Sequence, residues 1–66
     1  MSIAKVIEVL AEGDTFESAV QAAVTDASKS LRNIKTVYVS DIQASVNGTS
    51  VVRYRANCKV TFVVDD

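Results

Sequence analysis

From residue 3 onward, IAKVIEVLA is dense in Ile and Val and lacks helical spacing: Lys5, Ile7 and Val9 fall on one side of an extended chain, and Ala4, Val6, Glu8 and Leu10 on the other. A strand over residues 3–11 is predicted. Both of its faces carry apolar residues, as expected where a helix covers one side and something else touches the other. The period then changes. Phe16, Ala19, Val20, Ala23, Val24, Ala27 and Leu31 recur at helical spacing, with Glu17, Ser18, Gln21, Thr25, Asp26, Ser28 and Lys29 opposite them. Asp14 and Glu17 have capping-box spacing and Thr15 is an equally good N-cap, so the helix begins there. It runs to near Arg32, and Asn33, which tolerates left-handed backbone, ends it. The stripe reads as core.

Two long strand-like runs follow, residues 35–46 and 50–64, separated by Asn47-Gly48, the strongest short hairpin signal. A two-residue turn at that pair sets Val46 opposite Thr49 and Ser40 opposite Arg55. Parity then gives one face Val37, Val39, Val52, Tyr54, Ala56, Cys58, Val60 and Phe62, the face for the helix to cover. The other face takes Thr36, Tyr38, Ser40, Ile42, Arg53, Arg55, Asn57 and Lys59. The order is β-α-β-β, an α+β fold with a three-stranded antiparallel sheet partly wrapped around one helix. Its lengths do not match. A helix of about 17 residues is about 26 Å long, whereas a strand of about 14 residues is about 46 Å, so much of the hairpin lies outside its own helix. Soluble proteins seldom leave long strand edges unpaired, and self-association resolves this most simply.

Composition narrows the class. The chain has 66 residues, 48% hydrophobic and 23% charged, with two Gly and no Pro, which describes one packed domain over 1–66 and not a linker. Chains this short bury only about 60% of their unfolded surface when they fold alone. With Cys58 the one cysteine, on the apolar side of its strand, there is no disulfide framework, and a reducing, cytoplasmic setting fits. Lys5 and Glu8 interrupt the N-terminal apolar run, so it does not read as a signal peptide, and no stretch is long enough to cross a bilayer. The formal net charge of −1, with charges well mixed, argues against a general nucleic-acid binder.

Against that balance, the polar face of the last strand carries three cations, Arg53, Arg55 and Lys59. They read either as an anion site, for a phosphate-bearing cofactor, or as a solvated strand face with inter-subunit ion pairs to Asp41, Asp65 or Asp66. Catalysis is the weakest reading: there is no His, Cys58 has no neighbouring base in sequence, and no Gly-rich loop cradles phosphate. Glu12 with Asp14, and Asp65-Asp66, read as caps and solvated termini, and a calcium role for them needs further neighbours. Tyr38 is the one aromatic on the polar face, too little for a nucleic-acid platform.

With these pieces in this order, KVIEV, then TFESAVQAAVTDASKSLRNI, then a hairpin ending KVTFVVDD, essentially the whole chain resembles the dodecins. These are small flavin-binding proteins of β-α-β-β fold, twelve copies of which form a hollow shell. The resemblance implies a non-enzymatic homo-oligomer that stores or buffers a cofactor, flavin or a variant ligand such as coenzyme A; calcium is also known among dodecin relatives. In the family, a Trp just after the helix stacks on the flavin ring and a Gln on the last strand bonds its polar edge. Those positions here are Thr36 and Arg55. The resemblance therefore places the cofactor face at Thr36, Tyr38, Arg53, Arg55 and Lys59 but implies weakened flavin binding. Thr cannot stack, and Arg only donates where Gln both donates and accepts. Tyr38 reads first as a packing residue of the subunit contact and second as a substitute ring.

Overall fold

The computed structural model describes residues 2–64. Strand β1 (Ile3–Gly13), helix α1 (Phe16–Ser28), strand β2 (Ile34–Asn47) and strand β3 (Ser50–Val64) follow in that order. The three strands form one sheet of order β1-β3-β2, with β3 antiparallel to both neighbours. The helix lies on one face of this sheet.

Small side chains set that contact. Ala19 and Ala23 on the helix and Ala56 and Cys58 on β3 form the buried cluster, flanked by Val9, Ala11, Val20, Val37 and Val39. Of the expected helical stripe, Ala19, Ala23 and Ala27 are buried, while Phe16 stays 36% exposed. Alanines four residues apart let the helix backbone settle close to β3, and the fully buried side chains reach no larger than Val60 and Cys58. A fully buried large aliphatic side chain contributes about 1.5–3 kcal/mol, so a core of Ala, Cys and Val is a modest source of stability.

The helix begins where Thr15 caps it: the Ser18 amide donates to Thr15 Oγ1 at 3.0 Å, and the Thr15 amide donates back to Ser18 Oγ at 3.0 Å. The reciprocal pair is therefore Thr15 with Ser18, not Asp14 with Glu17. Helix α1 is also shorter than its apolar stripe predicts, ending at Ser28 with Lys29 as C-cap. Leu31 and Arg32 belong to the connection, and Asn33 takes the left-handed conformation there, at φ 61°, five residues past the helix. Ser28 Oγ donates to the Val24 carbonyl at 2.7 Å, a local bond that competes with continuation of the helix. At 13 residues the helix is about 20 Å long, against a longest molecular dimension of 52 Å.

The hairpin departs from the simplest register in two ways. Its loop is Gly48-Thr49, flanked by the pair Asn47 and Ser50, and Gly48 has φ 66°. Gly at the first central position with positive φ is the primed turn that matches strand twist. This setting puts Val46 opposite Val51, a β-branched pair, instead of opposite Thr49. Register shifts then occur between Val39 and Asp41 and between Ser45 and Val46. At the first, Ser40 is the extra residue on β2, held by its hydroxyl donating to the Asn57 carbonyl at 3.1 Å. A one-residue insertion re-phases everything beyond it. Asp41, Gln43 and Ser45 therefore pair with Asn57, Arg55 and Arg53, while Ile42 pairs with Ala56 on the helix side. The expected placement of Ile42 beside Arg55, and of Ser40 opposite it, is corrected accordingly.

At the end of β1, Gly13 meets the first helical turn so closely that an added Cβ would strike Ser18 Oγ and lie 2.6 Å from the Ala19 backbone nitrogen. The hydroxyl can rotate away, but the backbone cannot. Gly→Ala substitution commonly stabilises by about 0.4–1 kcal/mol through the unfolded chain, whereas overpacking costs about 1–3 kcal/mol. Gly13→Ala should therefore lower stability, seen as a reduced urea midpoint; an unchanged or higher midpoint would contradict the close approach.

Cys58 is fully buried, and burial pushes its thiol above the ordinary value. Its labelling by a thiol reagent should follow global unfolding. Because the folded state holds the proton more tightly than the unfolded chain, the native protein should lose stability relative to Cys58→Ala as pH rises past about 8.5, and not below it.

Candidate functional site

The sheet face turned away from the helix is built in rows. Because β3 is paired on both sides, its outward residues from Arg55 to Thr61 each have one neighbour on β1 and one on β2. Thr61 lies between Val6 and Thr36, Lys59 between Glu8 and Tyr38, Asn57 between Leu10 and Asp41, and Arg55 between Glu12 and Gln43. Arg53, beyond the end of β1, pairs with Ser45.

This arrangement places all five sequence-derived positions, Thr36, Tyr38, Arg53, Arg55 and Lys59, on one face, but not at one point. Thr36 and Arg55 are separated by six residues along β3, about 20 Å at strand rise. One small ligand cannot touch both within a single chain. Tyr38 is nearer to Arg55 than Thr36 is, and the residue is 66% exposed. It stands diagonally to Asn57, a separation of about 7–8 Å that aromatic side chains can span.

The cations are answered within the chain. Arg55 Nη2 donates to Glu12 Oε1 at 3.1 Å, and Arg53 Nη1 lies 3.7 Å from Glu12 Oε2, so one carboxylate serves both guanidinium groups. Glu8 faces Lys59 directly across the β1–β3 ladder. The side chains of the Glu12 cluster are 39% to 53% exposed, and each such pair contributes at most about 1 kcal/mol. Their effect on the field is larger than their effect on stability: β1 supplies acids in register with the bases of β3.

Beyond its place at the end of β1, Glu12 is the acidic partner of both arginines, a role that an end cap does not describe. Asp65 and Asp66 lie outside the described residues. A signal for Glu12 does exist in the sequence. Once β1 is antiparallel to β3, Glu8 and Glu12 repeat at the same four-residue interval as Arg55 and Lys59, and an even interval keeps both on one face.

Two hollows bear on the site among the described residues. One, of about 190 Å³, is on the outward face and is lined by Leu10, Asp41, Gln43, Arg55 and Asn57. The other, about 540 Å³ and wide open, lies at the far end of the sheet between residues 30–33 and 62–64, away from the basic row. Among the described residues, no three acidic, Cys or His side chains stand together as metal ligands. No helix is long and apolar enough to cross a membrane.

A three-stranded antiparallel sheet of order β1-β3-β2, one helix on one face and a long hairpin projecting past it define a small β-α-β-β protein. Comparison with protein families places it: the Dodecin family matches residues 3–65, and the chain belongs to that family. Among solved structures, it is similar to a mutant form of the dodecin of T. thermophilus, with 25% identity over 100% of both chains and a TM-score of 0.92. A dodecin from Streptomyces coelicolor is 26% identical, with 98% of this chain and 94% of that one covered and a TM-score of 0.90. The dodecin from Streptomyces davaonensis shares the fold at 18% identity, with 98% and 97% covered and a TM-score of 0.90. A search of curated proteins gives no match.

Proposed function

We propose that this protein is a non-catalytic, self-assembling shell component that holds a flavin-type cofactor for storage or buffering. The observation that carries the assembly is the uncovered hairpin. Helix α1 spans less than half of the 52 Å length, and Ile42, Val46, Val51 and Val52 are each more than half exposed. Isolated exposed aliphatics are ordinary, but a run of them along both strands of one hairpin marks an interaction surface. Dodecin membership points to other copies of the same chain as what covers it, twelve in all, in a cytoplasmic setting that suits the single buried thiol.

A flavin-type ligand is supported by family membership and by the outward face on which Thr36, Tyr38, Arg53, Arg55 and Lys59 lie. Thr36 and Arg55, about 20 Å apart at strand rise, can act on one ligand only if different copies contribute them, as a shell of repeated chains allows. Coenzyme A or another phosphate-bearing ligand is favoured less, because its phosphates would compete with Glu12 for both arginines.

Two measurements test this. Light scattering at micromolar concentration should give about twelve times the 7.1 kDa chain mass; a single-chain mass would remove the assembly. Riboflavin, followed by fluorescence quenching, should bind weakly to the parent protein. Thr36→Trp combined with Arg55→Gln should bind it at least tenfold more tightly, since stacking contributes about 1–3 kcal/mol per ring. An unchanged titration in a correctly assembled variant would show that the cofactor face lies elsewhere.

A further inference from the structure

The end of the hairpin brings together a side-chain amide and an unshielded backbone nitrogen. Asn47, Gly48, Thr49 and Ser50 are all polar and all exposed. They lie beyond the apolar run of Val46, Val51 and Val52, so nothing in their chemistry favours burial. Asn47 is the last residue of β2, paired with Ser50, and Gly48 is the first residue outside the ladder. A Cβ added to Gly48 would meet no atom within 4 Å, so the space around this peptide is open. Gly48 takes φ 66° to make the turn, and without a side chain it also leaves its own nitrogen uncrowded and its backbone free to rotate.

The other two asparagines lack this setting. Asn33 and Asn57 are followed by Ile34 and Cys58, whose side chains crowd the next nitrogen. Cys58 is in addition fully buried and paired with both neighbouring strands.

We propose that Asn47 is a site of spontaneous deamidation and that its isoaspartate product opens the hairpin tip. Hydroxide takes the proton of the Gly48 amide, and that nitrogen attacks Cγ of Asn47. The new bond joins Gly48 N to Asn47 Cγ; the bond from Cγ to Nδ2 breaks, and the leaving nitrogen takes a proton from water and departs as ammonia. A cyclic imide remains. Water then adds to one of its two carbonyl carbons and the ring nitrogen recovers a proton. Opening at Cγ restores the normal chain with aspartate at 47, whereas opening at the backbone carbonyl carbon gives isoaspartate, with the main chain routed through the former side chain. Overall one water enters and one ammonia leaves, with no change of oxidation state.

The ring cannot close while Asn47 is held extended against Ser50, so the turn has to open first. This pair is the end rung of the ladder, and end rungs open at the lowest free energy. Isoaspartate adds one carbon atom to the main chain at that rung. A two-residue turn fixes register through its exact length, so the added atom frees the pair Val46 and Val51 immediately behind it.

The test is storage of the purified, assembled protein for weeks in warm, mildly alkaline buffer, with intact mass and peptide mapping as readouts. Chains should gain the mass difference between an amide and an acid at Asn47, faster as pH rises, and part of the product should be isoaspartate. Gly48→Ala should slow the gain at least tenfold. Should that variant fail to assemble, Asn47→Gln keeps an amide but requires a larger, slower-closing ring, and should slow it at least as much. No gain at residue 47, a faster gain at Asn33 or Asn57, or an undiminished rate in the variant would each overturn the site. Hydrogen exchange at residues 46–51 tests the consequence. It should be at least tenfold faster in isoaspartate chains than in Asn47→Asp, which carries the new charge without the added main-chain atom; equal exchange in the two would overturn the opening of the tip.

Discussion

The structure depends on how close the helix comes to β3. Ala19 and Ala23 resting on Ala56 and Cys58 bring two backbones together with almost no side-chain volume between them. The same economy limits the core to a short patch under a 13-residue helix while the strands run on for 14 and 15 residues. Gly13 belongs to this constraint as well, since any side chain there would hold the first helical turn away from the sheet. A small core and a long uncovered hairpin are therefore one fact, and together they account for the family's habit of association better than either does alone.

Much of this was legible in the chain. The switch from extended to 3.6-residue periodicity at Thr15 located the helix start, and the alternation of Tyr54, Ala56, Cys58 and Val60 against Arg53, Arg55, Asn57 and Lys59 assigned the two faces of β3 correctly. The helix end was overextended because Leu31 continues the apolar spacing, although it packs from a non-helical connection. The register of β2 was not legible for a different reason. Alternation tells which residues share a face only while the count is unbroken, and nothing in VYVSDIQ marks Ser40 as the residue that drops out of the count. Its hydroxyl bond to the Asn57 carbonyl is a tertiary contact with no local signature.

The basic row shows how a pattern on one strand can mislead when its partner is ignored. Arg53, Arg55 and Lys59 in isolation look like an anion site. Placed beside β1 they are half of a ladder, with Glu12 and Glu8 as the other half. This also explains how such a row occurs in a chain of formal net charge −1: the charges are balanced across neighbouring strands and not along the sequence, where Glu12 and Arg55 are 43 positions apart.

Ser40 has a bearing on how this face could change over time. A substitution alters one side chain, but a bulge is a phase setting for everything beyond it. If Ser40 instead took an ordinary place opposite Asn57 and the second register shift, between Ser45 and Val46, closed with it, Ile42 and Ala44 would turn outward beside Arg55 and Arg53, and Asp41 and Gln43 would turn toward the helix side. A polar surface would become an apolar one in a single step, with the helix, the first strand and the tip turn left as they are. In a fold this small, where nearly every residue is committed to a neighbour, the phase of one strand between two fixed pairs is a coarser and faster control over surface chemistry than residue identity.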